Sequence, residues 1–282
     1  MNQISYVIPT LNSAATLDMT LLCLHSQKKV NVNFIVVDSG STDKTLDICK
    51  RWNVKVLYAE PGNMYRAINV GLRECNTEWI GYINSDDWIY PDSLNRLIAW
   101  GNSSNADVVY ANCDYTDAYG RFMYSFAPPK PNQLIATSRT GELGFAQQSA
   151  IFKNSLYQKL TGFNEDYYFV GDREFFIRAL NSGAKFTFLS GASVACFRLH
   201  SDQLSQTKSQ FMQAEGKKIR SELVKEPNLS DWATRIQWRL KNIPNYLLRF
   251  LRQSLLSGKA TITKSIHAGT HLDSNIAVSS HD

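Results

Sequence analysis

The chain has 282 residues, 44% hydrophobic and 20% charged, with 8 prolines and 15 glycines, which excludes disordered, collagen-like and mucin-like chains and leaves room for a sizeable core. Its formal charge of +5 first suggests a partner rich in phosphate, but residues 1–205 carry 18 basic against 19 acidic side chains and residues 206–282 carry 12 against 6. A basic nucleic-acid-binding body is therefore disfavoured, and the surplus belongs to a C-terminal accessory.

Ile4-Ser5-Tyr6-Val7-Ile8 is a short, nearly continuous apolar run that ends at Pro9, the pattern of a strand buried on both faces. Residues 14–29 then set Leu17, Thr20, Leu21 and Leu24 at helical spacing. A second run, Phe34 to Val37, stops at Asp38-Ser39-Gly40-Ser41-Thr42-Asp43, where small polar residues turn the chain and offer caps to a helix through Leu46, Ile48 and Cys49. The alternation continues with a strand over 54–58, a helix over 64–75, a strand over 79–83, a helix after Pro91 and a strand over 108–110. This pattern predicts an α/β fold with a mostly parallel sheet flanked by helices, in which ligands bind beyond the carboxyl ends of the strands. Neither the dinucleotide G-x-G-x-x-G nor a P-loop is present. The five cysteines form no C-x-x-C pair and read as reduced thiols, most of them in the core of a cytosolic protein. With no basic leader and no run of 18 apolar residues, neither a signal peptide nor a spanning helix is expected.

Asn84-Ser85-Asp86-Asp87 follows the strand over 79–83 directly. Two adjacent acids repel unless something positive offsets them. A divalent cation, Mn²⁺ or Mg²⁺, completed by substrate phosphates would do so, and a solvated turn with Asp87 near a helix N-cap fits the same residues. Asp38 and Pro9-Thr10-Leu11-Asn12 end neighbouring strands, giving a polar floor that suits a nucleotide. Taken alone, Asp38 reads as a turn residue.

The ordered set Ile8-Pro9-Thr10-Leu11-Asn12, Val36-Val37-Asp38-Ser39-Gly40-Ser41-Thr42-Asp43, Gly62 with Ala67, Asn69 and Gly71, and Asn84-Ser85-Asp86-Asp87 resembles the family 2 glycosyltransferases with the Rossmann-like GT-A fold. The resemblance covers residues 3–205. It implies metal-dependent inverting transfer of a sugar from a nucleotide-diphosphate donor, UDP ahead of GDP or dTDP, to a saccharide or lipid-linked acceptor. It places Pro9, Thr10, Asn12 and Asp38 at the nucleotide, Arg66 at the base or phosphates, Asp86 at the ribose and Asp87 on the metal. Ser85 stands where a strict D-x-D has its first acid, which leaves Asp87 as the expected main protein ligand.

Inverting transfer needs a base for the acceptor hydroxyl. In Gly171-Asp172-Arg173-Glu174 a helix begins after Gly171, so Asp172 is a first-turn acid and reads locally as a cap. The resemblance instead makes Asp172 the catalytic base, with Gly171 where the family often has an acid and Glu174 beside the acceptor. Gln147-Gln148-Ser149 resembles an acceptor-bordering element, and Gln148 reads equally as an acceptor contact or a satisfied turn amide. Phe197-Arg198-Leu199-His200 resembles the family's closing motif, which implies His200 on the metal and Arg198 at the diphosphate. A nucleotidyltransferase and a non-catalytic saccharide-binding protein are the rival readings.

Residues 206–259 set Ile236, Leu240, Ile243, Leu247, Phe250, Leu251 and Leu255 at helical spacing among lysines and arginines. This basic amphipathic extension is expected to pack its apolar stripe on the catalytic domain or a second subunit, with contact to an anionic membrane as the alternative. Residues 260–282 read as a flexible terminus. The expected location is the cytoplasm or the inner face of its membrane.

Overall fold

The computed structural model describes residues 1–200 and 208–257. Strands β1 (Asn2–Thr10), β2 (Val30–Asp38), β3 (Lys55–Tyr58) and β4 (Trp79–Tyr82) come first, then the short β5 (Trp88–Ile89). They are followed by β6 (Val108–Ala111), β7 (Cys113–Thr116), β8 (Phe122–Phe126), β9 (Ala150–Lys153), β10 (Phe186–Leu189) and β11 (Ala195–Arg198). The main sheet has the order β10-β6-β9-β4-β1-β2-β3. All its pairings are parallel except those that β9 makes with β4 and β6.

Both faces of this sheet are covered, which is why Ile4 to Thr10 are buried without a break. Side chains alternate along the strand. Val7 turns to one cluster, with Tyr65, Phe152 and Phe175, while Ile4, Tyr6 and Ile8 turn to the other, with Leu17 and Leu94. Helices α1 (Leu17–His25), α2 (Thr45–Arg51) and α4 (Ser93–Ser104) lie on the second side. Helices α3 (Met64–Arg73), α5 (Leu134–Arg139), α6 (Asn154–Lys159) and α7 (Gly171–Asn181) lie on the first. Register brings the chemistry to one edge: Thr10 pairs with Asp38, Val7 pairs with Tyr82, and the Ile83 N–H donates to the Val7 carbonyl at 3.0 Å.

A second sheet, in the order β5-β11-β7-β8, stands beyond that edge. β5 starts directly after Asp87, and Cys196 of β11 pairs with Trp88. This pairing carries Arg198 and His200 back to the loop after β4. All five cysteines are buried and free.

The extension forms α8 (Ser209–Leu223), α9 (Leu229–Lys241) and α10 (Ile243–Ser257), packed in turn on α7, α5 and β8. Of the expected placements, packing of the apolar stripe on the catalytic domain is not the one observed. Trp238 and Asn242 are buried, and Arg235 and Arg239 turn inward to Glu142. Leu229, Trp232, Ile236, Leu240, Ile243, Leu247, Leu251 and Leu255 are 42–89% exposed. The apolar stripe therefore does not pack on the catalytic body, where Glu142 and the Thr140 carbonyl draw Arg235 and Arg239 inward and Arg139 meets Asp231 of the extension. No described helix is long and apolar enough to cross a membrane. The terminus expected to be flexible, 260–282, lies outside the described residues, as do 201–207.

Candidate active site

The loops after β1, β2 and β4 are knotted together by short polar side chains. Asp38 is buried, and its carboxylate receives the Gly40 N–H (3.0 Å), the Ser41 N–H (2.9 Å), Ser41 Oγ (2.5 Å) and Thr10 Oγ1 (3.2 Å). A carboxylate has about four lone-pair sites, so its own loop fills Asp38. It shapes the turn after β2, and the base contact expected of it requires one of these bonds to open. Asn12, held at φ +52°, accepts from the Thr42 N–H at 2.8 Å and donates its own N–H to Ser41 Oγ at 2.8 Å. Ser13 Oγ and Ser85 Oγ, 2.7 Å apart, tie in the third loop. Pro9, Thr10 and Asn12 thus lie at the carboxyl end of β1, against the turn that Asp38 holds.

The two adjacent acids differ in environment. Asp87, expected as the main metal ligand, is fully buried. One of its oxygens accepts the Arg198 N–H at 3.0 Å, the other Gln148 Nε2 at 2.7 Å and Asn84 Nδ2 at 3.4 Å. Burial and the neighbouring Asp86 charge raise its pKa, against those hydrogen bonds. Asp87 therefore fastens the loop after β4 to β11, and Gln148, expected at the acceptor, spends its amide on Asp87. Asp86 instead meets His200: Nε2 and Oδ2 are 2.8 Å apart, and each side chain keeps 21% exposure. In the same loop, two residues before Asp86, Asn84 Oδ1 is buried without a hydrogen-bond partner among the described residues. A carboxylate, an imidazole and an orphaned amide oxygen fit a divalent cation. Among the described residues no three His, Cys, Asp or Glu side chains converge on one point, so such a cation would need further ligands from a substrate. Arg198 stands over the Trp88 ring, 5.1 Å from its centroid.

Asp172 begins α7, where Tyr65 Oη donates to its Oδ1 at 3.1 Å. Burial raises its pKa, an effect only partly opposed by the Arg173 N–H and Tyr65. A Cβ at Gly171 would lie 2.8 Å from the Tyr65 ring, so an acid at that position would expel the ring that holds Asp172. Tyr65, which holds Asp172, and Tyr82 of β4 both pack against Phe163 in the first cluster, with ring centroids 5.8 and 5.5 Å apart, so Asp172 is anchored against the strand whose end leads to Asp86 and Asp87. Glu174 is buried and turned away to Arg178, whose Nε and Nη2 reach it at 2.5 and 2.9 Å. Each of its oxygens accepts one of those bonds, so the acceptor contact expected of it would have to compete with Arg178. Arg66 is held by Glu165 at 3.3 Å and remains partly exposed.

Residues 5–161 match the family model described as Glycosyl transferase family 2. The chain belongs to glycosyltransferase family 2. Over 201 residues this glycosyltransferase is 26% identical to a PGL/p-HBAD biosynthesis glycosyltransferase of Mycobacterium bovis, covering 68% of this chain and 75% of that one. It is 28% identical over 129 residues to glycosyltransferase GlyA of Streptococcus pneumoniae, a match spanning 44% of this chain and 18% of GlyA. Among solved structures, S. aureus TarS 1-349 in complex with UDP has a TM-score of 0.62 at 19% identity, covering 94% of this chain and 77% of that one. The mannosyltransferase PcManGT from Pyrobaculum calidifontis, in complex with GDP-Man and Mn2+, has a TM-score of 0.60 at 17% identity, covering 93% and 77%. These likenesses establish the GT-A fold.

The glycosyltransferase also holds its site with residues that sequence patterns do not single out. Glu215 of α8 accepts the N–H groups of Tyr168, Phe169 and Val170 at 2.8, 3.0 and 3.1 Å, fixing the segment that delivers Gly171 and Asp172. Glu215→Ala leaves these donors without their acceptor. An exposed side of the segment allows water to recover part of the loss, so a destabilisation of about 1–3 kcal/mol is expected, read as a lower midpoint in urea unfolding. Tyr65 offered only one signal, an aromatic residue next to Arg66.

Proposed function

We propose that the enzyme catalyses metal-dependent inverting transfer of a sugar from a nucleotide-diphosphate donor to a saccharide or lipid-linked acceptor. The observation that supports this reading is a partly exposed Asp86–His200 couple beyond the end of β4 together with a separate carboxylate, Asp172, held by Tyr65 in the cluster that Tyr82 of β4 joins. Asp172 takes the proton of the acceptor hydroxyl as its oxygen bonds the anomeric carbon, and the bond from that carbon to the diphosphate breaks. Asp86 and His200 would hold a divalent cation, which when bound offsets the charge of the departing diphosphate. Arg198 adds a fixed positive charge, and Thr10 with Asn12 borders the nucleoside. Complexes of fold relatives with UDP, UDP-GlcNAc and GDP-Man support the donor class, and Mn2+ in one of them supports the cation. A panel of sugar nucleotides assayed with Mn²⁺ and with chelator tests the reading: turnover of none of them, or turnover indifferent to chelation, would overturn it.

The outward stripe of α9 and α10 supports docking on an anionic membrane surface. Over residues 228–257 the one acid, Asp231, is buried, while Lys241 and Arg252 are exposed. Apolar residues flanked by cations alone match anionic headgroups, whereas a symmetric second copy would set like charges together. The full chain is expected to sediment with phosphatidylglycerol vesicles and not with phosphatidylcholine vesicles, and Ile236→Glu with Leu247→Glu should release it. A salt-stable dimer broken by the same substitutions would assign the face to a second copy instead.

A further inference from the structure

Positive charge collects beside the candidate base and exceeds what the described residues around it neutralise. Arg173 follows Asp172 on α7, and its Nε and Nη2 are buried without a hydrogen-bond partner. Gly216 of α8 makes room for it: a Cβ there would lie 3.2 Å from Arg173 Nη1. One helical turn further along α8, the Arg220 guanidinium lies against Gly141, held at φ +104°, so closely that a side chain at that glycine would collide with it. The nearby acid, Glu142, is already bonded by Arg235 and Arg239. Asp231 is likewise engaged, by Arg139 at 3.5 Å. Burial and the charge of Arg220 push the Arg173 pKa down, and the charges of Asp172 and Glu142 oppose this only in part.

A buried guanidinium with unsatisfied donors is costly, and its planar fork matches an oxyanion, a phosphate above all. The donors that Arg173 and Arg220 leave open outnumber the two oxygens of a single carboxylate, whereas a phosphate presents more. The position is one residue beyond the carboxylate that would deprotonate the acceptor, so an anion here belongs to the acceptor side. We propose that Arg173 and Arg220 form an oxyanion subsite, and that the acceptor carries a phosphate group close to the hydroxyl that receives the sugar. This rests on Asp172 acting as the base in the transfer proposed above.

The test uses the full chain saturated with UDP and Mn²⁺, so that donor-side phosphate contacts are filled. Inorganic phosphate, a sugar 1-phosphate, the matching free sugar and a short-chain prenyl phosphate are titrated in turn by calorimetry. Saturable binding of inorganic phosphate and of at least one organic phosphate, at least tenfold tighter than the free sugar, is expected. Arg220→Gln, a change at an exposed side chain, should weaken it at least tenfold, with Arg220→Lys recovering part of the loss. Tighter binding of the sugar phosphate or of the prenyl phosphate would support the subsite and identify the source of the phosphate. Absence of saturable phosphate binding, or binding equal in Arg220→Gln, would overturn the proposal. Failure to bind UDP at all would count against the donor reading instead, and phosphate binding sensitive to Arg220 would still be measurable without it.

Discussion

Asp172→Asn is expected to lower kcat by about 10²–10⁴-fold while leaving the KM for the donor nearly unchanged and raising thermal stability at neutral pH. The first effect follows from removing the group that accepts the hydroxyl proton. The second follows because the transfer proposed above sets the donor at the strand-end loops and not at α7. The third follows from the raised pKa of Asp172. A carboxyl whose folded pKa lies above its unfolded value holds its proton to higher pH in the folded state, so stability falls as pH rises through that window. At neutral pH the ionised, partly buried carboxylate is a cost that asparagine removes. Below the ordinary carboxylate range both states are protonated, and the advantage of Asp172→Asn disappears. In the wild type the acid limb of kcat/KM should accordingly lie above the usual carboxylate pKa. Calorimetric melting of both proteins across pH, with steady-state kinetics on the same samples, checks all of these at once. Unchanged kcat in Asp172→Asn would remove Asp172 from the chemistry.

Periodicity placed the elements of the first half well because β1, β2 and β4 are buried on both faces and read as unbroken apolar runs. The small second sheet escaped that logic. β5 has two residues and β11 four, too few for a period, and their pairing joins positions more than a hundred residues apart. The same limitation hid how differently the two neighbouring acids are held. Asp86 and Asp87 are alike in sequence, and what separates them is the Arg198 N–H and the Gln148 amide, brought to Asp87 from β11 and from the turn before β9. Helical spacing in α9 and α10 correctly separated an apolar from a basic face. It held no information on which face turns inward, a matter settled by Glu142 and Asp231.

Separate substitution of the two acids should give opposite outcomes. Asp86→Asn is expected to reduce kcat/KM on the order of 10²–10³-fold, since several kcal/mol of charge stabilisation depend on the cation it would hold. The Mn²⁺ concentration for half-maximal activity should rise with it, while the melting temperature stays near that of the wild type, because Asp86 is partly exposed and its described partner is His200. His200→Ala should follow the same pattern. Asp87→Ala should instead unfold the protein more easily. It leaves the Arg198 N–H and the Gln148 amide in a fully buried place without their acceptor, at about 1–3 kcal/mol for each group. Asp87→Asn distinguishes geometry from charge: its carbonyl oxygen can still accept from Arg198, so most of the stability should return if Gln148 turns its own oxygen toward the new amide. Calorimetric melting together with Mn²⁺ titration of sugar-nucleotide turnover separates the two acids. If Asp87→Asn loses the Mn²⁺ response at unchanged melting temperature while Asp86→Asn keeps it, Asp87 holds the cation, and its burial must be relieved when the donor binds.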